Sequence, residues 1–331
     1  MKHLLLLGAG ISRNWGGWLA AEAFEYLLGC PEIQKDTSLR SALWKHHGSG
    51  GFENALAEIQ DAYRRDPVSN RAPLDALQAA ISRMFVDMNE GFFKQRFDSH
   101  SSIDRSVVHF LSKFDAIFTL NQDLLLEQHY LLCDLSTGPY RNWNGHDLPG
   151  LDLAPNEIKH DYRHWSQNVW RPQDPSTFLI RPEYQPLIKL HGSSNWVDDA
   201  GGPLLVIGGG KAQNIRLHPI LEWYANVFAE ALQNEHARLM IIGYGFRDPH
   251  INETISGAVR ECGLKIFNVS PQGSEQARSL NETRQRGQIT AGTQLESLFE
   301  QGLIGASRRS LTEIFYNDVI EHKKVYRFFE G

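Results

Sequence analysis

Leu4-Leu5-Leu6-Leu7, following Met1-Lys2-His3, runs straight into Gly8-Ala9-Gly10-Ile11-Ser12. An apolar run this short, closed by two glycines, reads as a fully buried strand that turns sharply into a helix. Gly8 and Gly10 would let the backbone approach an anion, and Ser12 would cap the next helix. The N-terminal amides of that helix, with about half a unit of positive charge, favour a pyrophosphate. A tight glycine turn with no ligand fits the same nine residues. A dehydrogenase fingerprint does not, because Arg13 stands where the third glycine of G-x-G-x-x-G belongs. Glu22 and Glu25 fall inside the first helix, and the next strand starts only near Ala116. A secretory leader is disfavoured, since Arg13 and Asn14 interrupt the apolar run and no small-residue cleavage site follows.

Further short apolar runs repeat the design. Ala116 to Leu120 ends in Asn121-Gln122-Asp123, Pro186 to Leu190 runs into His191-Gly192, and Leu239 to Ile242 runs into Gly243-Tyr244-Gly245. Leu204 to Ile207 and Leu264 to Val269 complete six predicted strands. Polar residues at the carboxyl ends of parallel strands lie where open α/β sheets bind ligands, although Asn121 and Asp123 would equally suit a turn and a helix cap. An imidazole such as His191, with an ordinary pKa near 6.5, exchanges protons around neutrality, so a histidine base predicts activity that falls on acidification. A loop histidine held by a hydrogen bond is the plainer alternative. Asp248-Pro249 predicts a helix start with Asp248 as N-cap. Gly208-Gly209-Gly210-Lys211 lacks the spacing and the Ser/Thr of a P-loop.

Between the first two strands the pattern is helical. Leu56, Ile59 and Tyr63 mark one stripe, and Leu74, Leu77, Ile81, Met84, Phe85, Met88 and Phe92 mark a longer one, both read as packing faces. Residues 31–103 are therefore assigned to a helical insertion, and 1–30 with 104–331 to the α/β domain. The expected fold is a Rossmann-like parallel six-stranded sheet with helices on both faces. Helices are also expected over 103–114, 294–303 and 311–321. Residues 133–186 are irregular and rich in Trp and His; His146, His160 and His164 there have no metal-ligand spacing.

Lys+Arg 33 against Asp+Glu 39 gives a net charge of −6, so no general basic surface points to nucleic acid. Cys30, Cys133 and Cys262 are too scattered for a disulfide framework or a structural zinc site. That cysteine usage suits a reducing, cytoplasmic setting, and no stretch approaches the ~20 apolar residues of a membrane span.

The motifs G-A-G-x-S, T-x-N-x-D, H-G, a glycine loop and a late Asn, in this order from Leu4 to Pro271, resemble the sirtuin (silent information regulator) superfamily. Ile242-Gly243-Tyr244-Gly245-Phe246-Arg247-Asp248-Pro249-His250-Ile251-Asn252 is most similar to the prokaryotic sirtuin-like branch of antiphage defence. The resemblance implies that Gly8, Ala9, Gly10 and Ser12 surround the phosphates of NAD. It implies Asn121 at the nicotinamide ribose with a water, Asp123 at the carboxamide, and His191 as general base. Gly243 and Gly245 would line the phosphate and ribose path, and Asn268 would bind the adenosine ribose. The four-cysteine zinc ribbon of sirtuin deacylases is missing, and Arg13-Asn14-Trp15-Gly16-Gly17-Trp18 replaces their G-I-P-x-F-R segment. The implied activity is NAD+ hydrolysis to nicotinamide and ADP-ribose, as a defence effector that depletes NAD+. ADP-ribosyl transfer, deacylation and a non-catalytic nucleotide-binding scaffold are the alternatives. No zinc is expected, and the resemblance implies a homo-oligomer, with a HerA-type ATPase or another defence protein as a possible partner.

Overall fold

A computed structural model describes residues 2–48, 51–98, 103–136, 143–154, 168–281 and 292–330. His160 and His164 lie outside the described residues. The strands are β1 (His3–Leu7), β2 (Ala116–Thr119), β3 (His146–Asp147), β4 (Leu151–Leu153), β5 (Trp170–Pro172), β6 (Gln185–Lys189), β7 (Gly192–Val197), β8 (Pro203–Leu205), β9 (Arg238–Ile242), β10 (Lys265–Val269) and β11 (Leu303–Ser307). Seven of them form one parallel sheet in the order β11-β10-β9-β1-β2-β6-β3. Leu4 to Leu7 are each at most 1% exposed, so both faces of β1 are covered. That is why the run carries no polar alternation. This is the expected Rossmann-like arrangement, a parallel sheet flanked by helices, with one more strand than expected.

The count differs in three places. β11 adds an edge strand directly after a helix over Gln294–Gly302. It escapes the apolar pattern because it is half-exposed and carries Gly305, where a Cβ would sit 2.5 Å from the Phe267 ring. β3 contributes only two residues at the opposite edge. The run Leu204–Ile207 does not join the main sheet: β8 pairs antiparallel with β7 in a second sheet of order β4-β5-β7-β8. The chain changes sheets at Leu190-His191, between β6 and β7. Gly192 makes that corner at φ +75°, where a Cβ would meet the Leu204 carbonyl oxygen at 2.1 Å.

Five helices follow β1: α1 (Ala20–Gly29), α2 (Pro31–Gln34), α3 (Thr37–His46), α4 (Gly51–Arg65) and α5 (Pro67–Phe93). The long stripe on α5 is buried from Leu74 to Phe92, and α5 packs on α1, α2, α4 and α7 (Leu125–His129). The helix expected over 103–114 is shorter, a 3-10 turn at Ile103–Arg105 and then α6 (Val107–Leu111), because Ser106 caps α6 by accepting from the His109 amide. Next come α8 (Lys211–Arg216), α9 (Pro219–Leu232), α10 (Pro249–Cys262) and α11 (Gln276–Ser279). At the C-terminal end, Leu311–Tyr316 and Val319–Tyr326 form two helices where one was expected, interrupted at Asn317-Asp318. Among the described residues no helix is long and apolar enough to cross a membrane.

Candidate active site

From β1 the chain builds the sheet one way, through β2 and β6, and from β9 it builds the other way, through β10 and β11. The carboxyl ends of β1 and β9 therefore flank the topological switch point, where a crevice opens. Both strands end in glycine there, and the two glycine loops pack on each other. The Gly10 amide donates to the Gly243 carbonyl at 2.9 Å, and the Gly8 amide to the Ile242 carbonyl at 3.0 Å. A Cβ on Gly8 would lie 2.6 Å from the Tyr244 Cα, and one on Gly10 2.6 Å from the Gly243 Cα. What comes close to these glycines is first of all the other loop. Gly245 differs, since a Cβ there would have its nearest neighbour 3.8 Å away.

Ser12 does not cap a long helix. The loop passes into a four-residue 3-10 helix, Ser12–Trp15, and α1 begins only at Ala20. The Ser12 hydroxyl instead accepts from the Asn121 side-chain amide at 2.9 Å and donates to the Asp123 carboxylate at 2.8 Å. One hydroxyl thus ties the loop after β1 to the loop after β2.

In β2 and β6, Thr119 is registered with Lys189, so Asn121 and His191 each lie two residues beyond a matched pair on strands about 4.8 Å apart. Both face a cavity of about 1520 Å³ lined also by Gly8, Ala9, Gly10, Asp123, Gly243 and Gly245. Ser12 and Asn268 stand behind its wall. Asn268 is fully buried and donates to Ser270 Oγ, the Gly273 carbonyl and Gln276 Oε1 at 3.0, 2.9 and 3.3 Å, bracing a loop whose Ser270 and Gln276 reach the cavity. Its Oδ1 is a buried acceptor with no partner among the described residues.

Below Asn121 and Asp123 lies a buried charge pair that sequence reasoning missed. Lys189, pointing in from β6, donates to the Asp123 carbonyl at 2.6 Å and to the Glu127 carboxylate at 2.5 Å, with both side chains at most 2% exposed. Burial pushes the Asp123 and Glu127 carboxyls above their ordinary range, and the Lys189 ammonium pulls both back. Asn89 of α5 completes the support: its Oδ1 accepts from the Leu124 amide at 2.9 Å, and its amide donates to Ser194 Oγ at 3.2 Å.

His191 corrects a second expectation. Burial drives its pKa from 6.5 down to about 3; Asp248 opposes that shift, while Lys211 and His250 add to it. The ring is neutral across the physiological range, and its Nε2 lies 3.2 Å from His250 Nε2. Asp248 precedes α10 as expected but makes no side-chain cap; its carboxylate goes to Lys211 at 2.9 Å, and Lys211 also reaches Glu53 of α4 at 2.7 Å. Lys211, Asp248, His250 and Glu53 all line the cavity. Burial pulls the Lys211 pKa down, but these two carboxylates outweigh it and raise the pKa overall. Only the glycines before Lys211 had drawn notice, as a failed P-loop.

Among the described residues no group of three or more His, Cys, Asp or Glu is placed to hold a metal ion. A protein-family model described as SIR2-like domain matches residues 115–287, just over half of the chain. The match takes in Asn121, Asp123, His191, Gly243, Gly245 and Asn268 and begins after the first glycine loop. No curated protein sequence matches the chain.

Proposed function

The chain belongs to the SIR2-like domain family, and from that premise we propose that it hydrolyses NAD+ at the nicotinamide–ribose bond, yielding nicotinamide and ADP-ribose. SIR2-like domains use NAD. The reading rests on one observation above the others: Asn121 and His191 each follow the registered pair Thr119 and Lys189 by two residues, and both line one cavity. The residues present suit the dinucleotide. Two glycine loops flank the switch point, and Asn268 braces from behind the loop whose Ser270 and Gln276 reach the cavity.

Nicotinamide leaves as a neutral molecule, so the leaving group needs no acid, and the site must instead favour an oxocarbenium-like ribose and deliver water. Ser12 holds the Asn121 amide nitrogen, which leaves the Asn121 carbonyl oxygen to accept from that water. Neutral His191 takes the water's proton as general base. Asp123, clamped by Ser12 and Lys189, would meet the nicotinamide carboxamide.

Purified protein should release nicotinamide and free ADP-ribose in equal amounts, followed by chromatography. His191→Ala and Asn121→Ala should abolish release while keeping wild-type circular dichroism; wild-type rates in both would refute the assignment. Labelled ADP-ribose on protein would favour transfer instead, and NAD binding without turnover would favour a scaffold. The likeness of Ile242–Asn252 to the defence branch supports NAD+ depletion in antiphage defence as the biological setting. Self-assembly or a HerA-type ATPase partner belongs to the same proposal, and light scattering with and without that partner tests it.

A further inference from the structure

The Nε2 atoms of His191 and His250 face each other at 3.2 Å, with ring centroids 5.4 Å apart. Neither ring makes another hydrogen bond among the described residues. Two imidazoles in this contact need one N–H and one lone pair between them. If His250 donated, neutral His191 would carry its own proton on Nδ1 and have no lone pair free to act as a base. If His191 donates, its Nδ1 lone pair is free.

From this we infer that His250 is a positioning residue for His191: it accepts the His191 Nε2–H and fixes Nδ1 as the proton-accepting atom. The inference rests on the NAD-hydrolysis reading. The step balances as follows. The water's oxygen bonds to ribose C1′ while nicotinamide departs with the electron pair of the C1′–N bond, and the water's proton goes to His191 Nδ1. The His191 imidazolium keeps its Nε2–H donated to His250 Nε2 and then releases the Nδ1 proton to solvent, which restores the base.

The charged and titratable groups around the pair fit this role. Asp248 favours the protonated form of both rings, and Glu253 favours that of His250; Lys211 disfavours it in both, while Glu53 is a second carboxylate on Lys211. His250 lies in the first turn of α10, whose positive end also opposes a cation. Asp248 at that helix start is the counter-charge that makes a transient imidazolium tolerable.

The test combines histidine-labelled NMR with kinetics. Long-range proton–nitrogen spectra of wild-type protein should show His191 as the Nε2–H tautomer, and an Nδ1–H tautomer overturns the inference whether or not the protein cleaves NAD. His250→Phe should lower kcat for nicotinamide release about 10- to 100-fold, with KM for NAD within about twofold, because the base stays but loses its orienting partner. His250→Gln, which keeps an acceptor, should restore most of the rate. An unchanged kcat in His250→Phe, or equal losses in both variants, overturns it. If His250→Phe does not fold, the wild-type tautomer and the His250→Gln rate decide. A wild-type protein without NAD cleavage would sink the hydrolase reading, while the tautomer would still decide the pair.

Discussion

Gly10 and Gly243 meet backbone to backbone: a Cβ on Gly243 would lie 2.5 Å from the Gly10 carbonyl carbon, and Gly243 holds φ at +66°. The contact joins the ends of β1 and β9, so one wall of the cavity is made by two loops that fit only without side chains. Gly243→Ala combines a positive-φ penalty of roughly 1 kcal/mol with a clash against backbone that cannot swing aside. We expect Gly10→Ala and Gly243→Ala each to cost several degrees of melting temperature and to remove NAD binding. Gly245→Ala, with its open surroundings, should melt within about a degree of wild type. Differential scanning fluorimetry separates the three, and a wild-type melting temperature for Gly243→Ala would refute the contact's importance.

His191 makes stability depend on acid. In the unfolded chain it titrates near 6.5 and in the folded protein near 3, so below pH 6.5 the unfolded state binds more protons and the folded state loses ground. The stability is fully present above pH 6.5 and is lost progressively between 6.5 and about 3, at about 1.4 kcal/mol per pH unit from this one ring. Asp123 and Glu127, whose carboxyls are raised, work in the opposite sense, so a comparison with a variant lacking only the ring isolates the histidine. Urea unfolding at pH 7 and pH 5 should show a larger loss for wild type than for His191→Asn. The same low pKa replaces the acid fall in activity expected from an ordinary imidazole. Initial rates should stay level from pH 8 to pH 5 and drop only where the fold gives way.

Part of this was legible in the sequence for a physical reason. β1, β2 and β9 are buried on both faces over Leu4–Leu7, Ala116–Phe118 and Leu239–Ile242, so each is written as an apolar run with polar or glycine residues at the carboxyl end, and β6 and β10 interrupt theirs with buried Lys189 and Asn268. Asn121, Asp123 and His191 stood out there. The second sheet was not legible, because strands such as Gly192–Val197 mix serine and asparagine with tryptophan. Asp248 does precede α10 as the local Asp-Pro signal says, but its carboxylate answers to Lys211, which precedes it by 37 positions, and not to the helix amides. Ser12 was misread: its partners are more than a hundred residues away. The one overlooked local signal was Lys189, a charge inside the apolar run Pro186 to Leu190. A lysine at such a position is buried only with a partner.

Lys189 therefore offers the sharpest separation of support from chemistry. Its ammonium serves two acceptors, the Glu127 carboxylate and the Asp123 carbonyl, at 2.5 and 2.6 Å. Lys189→Met leaves Glu127 buried without its cation, which should cost about 3–5 kcal/mol in urea unfolding. Adding Glu127→Leu removes the stranded carboxylate, and replacing a whole buried pair with apolar groups is often close to neutral, so the double variant should recover most of that stability. It does not give back a donor to the Asp123 carbonyl. If Lys189 acts on the site through that carbonyl, the double variant folds like wild type yet cleaves NAD at least about tenfold more slowly. Should it recover stability and turnover together, the lysine serves only to neutralise Glu127.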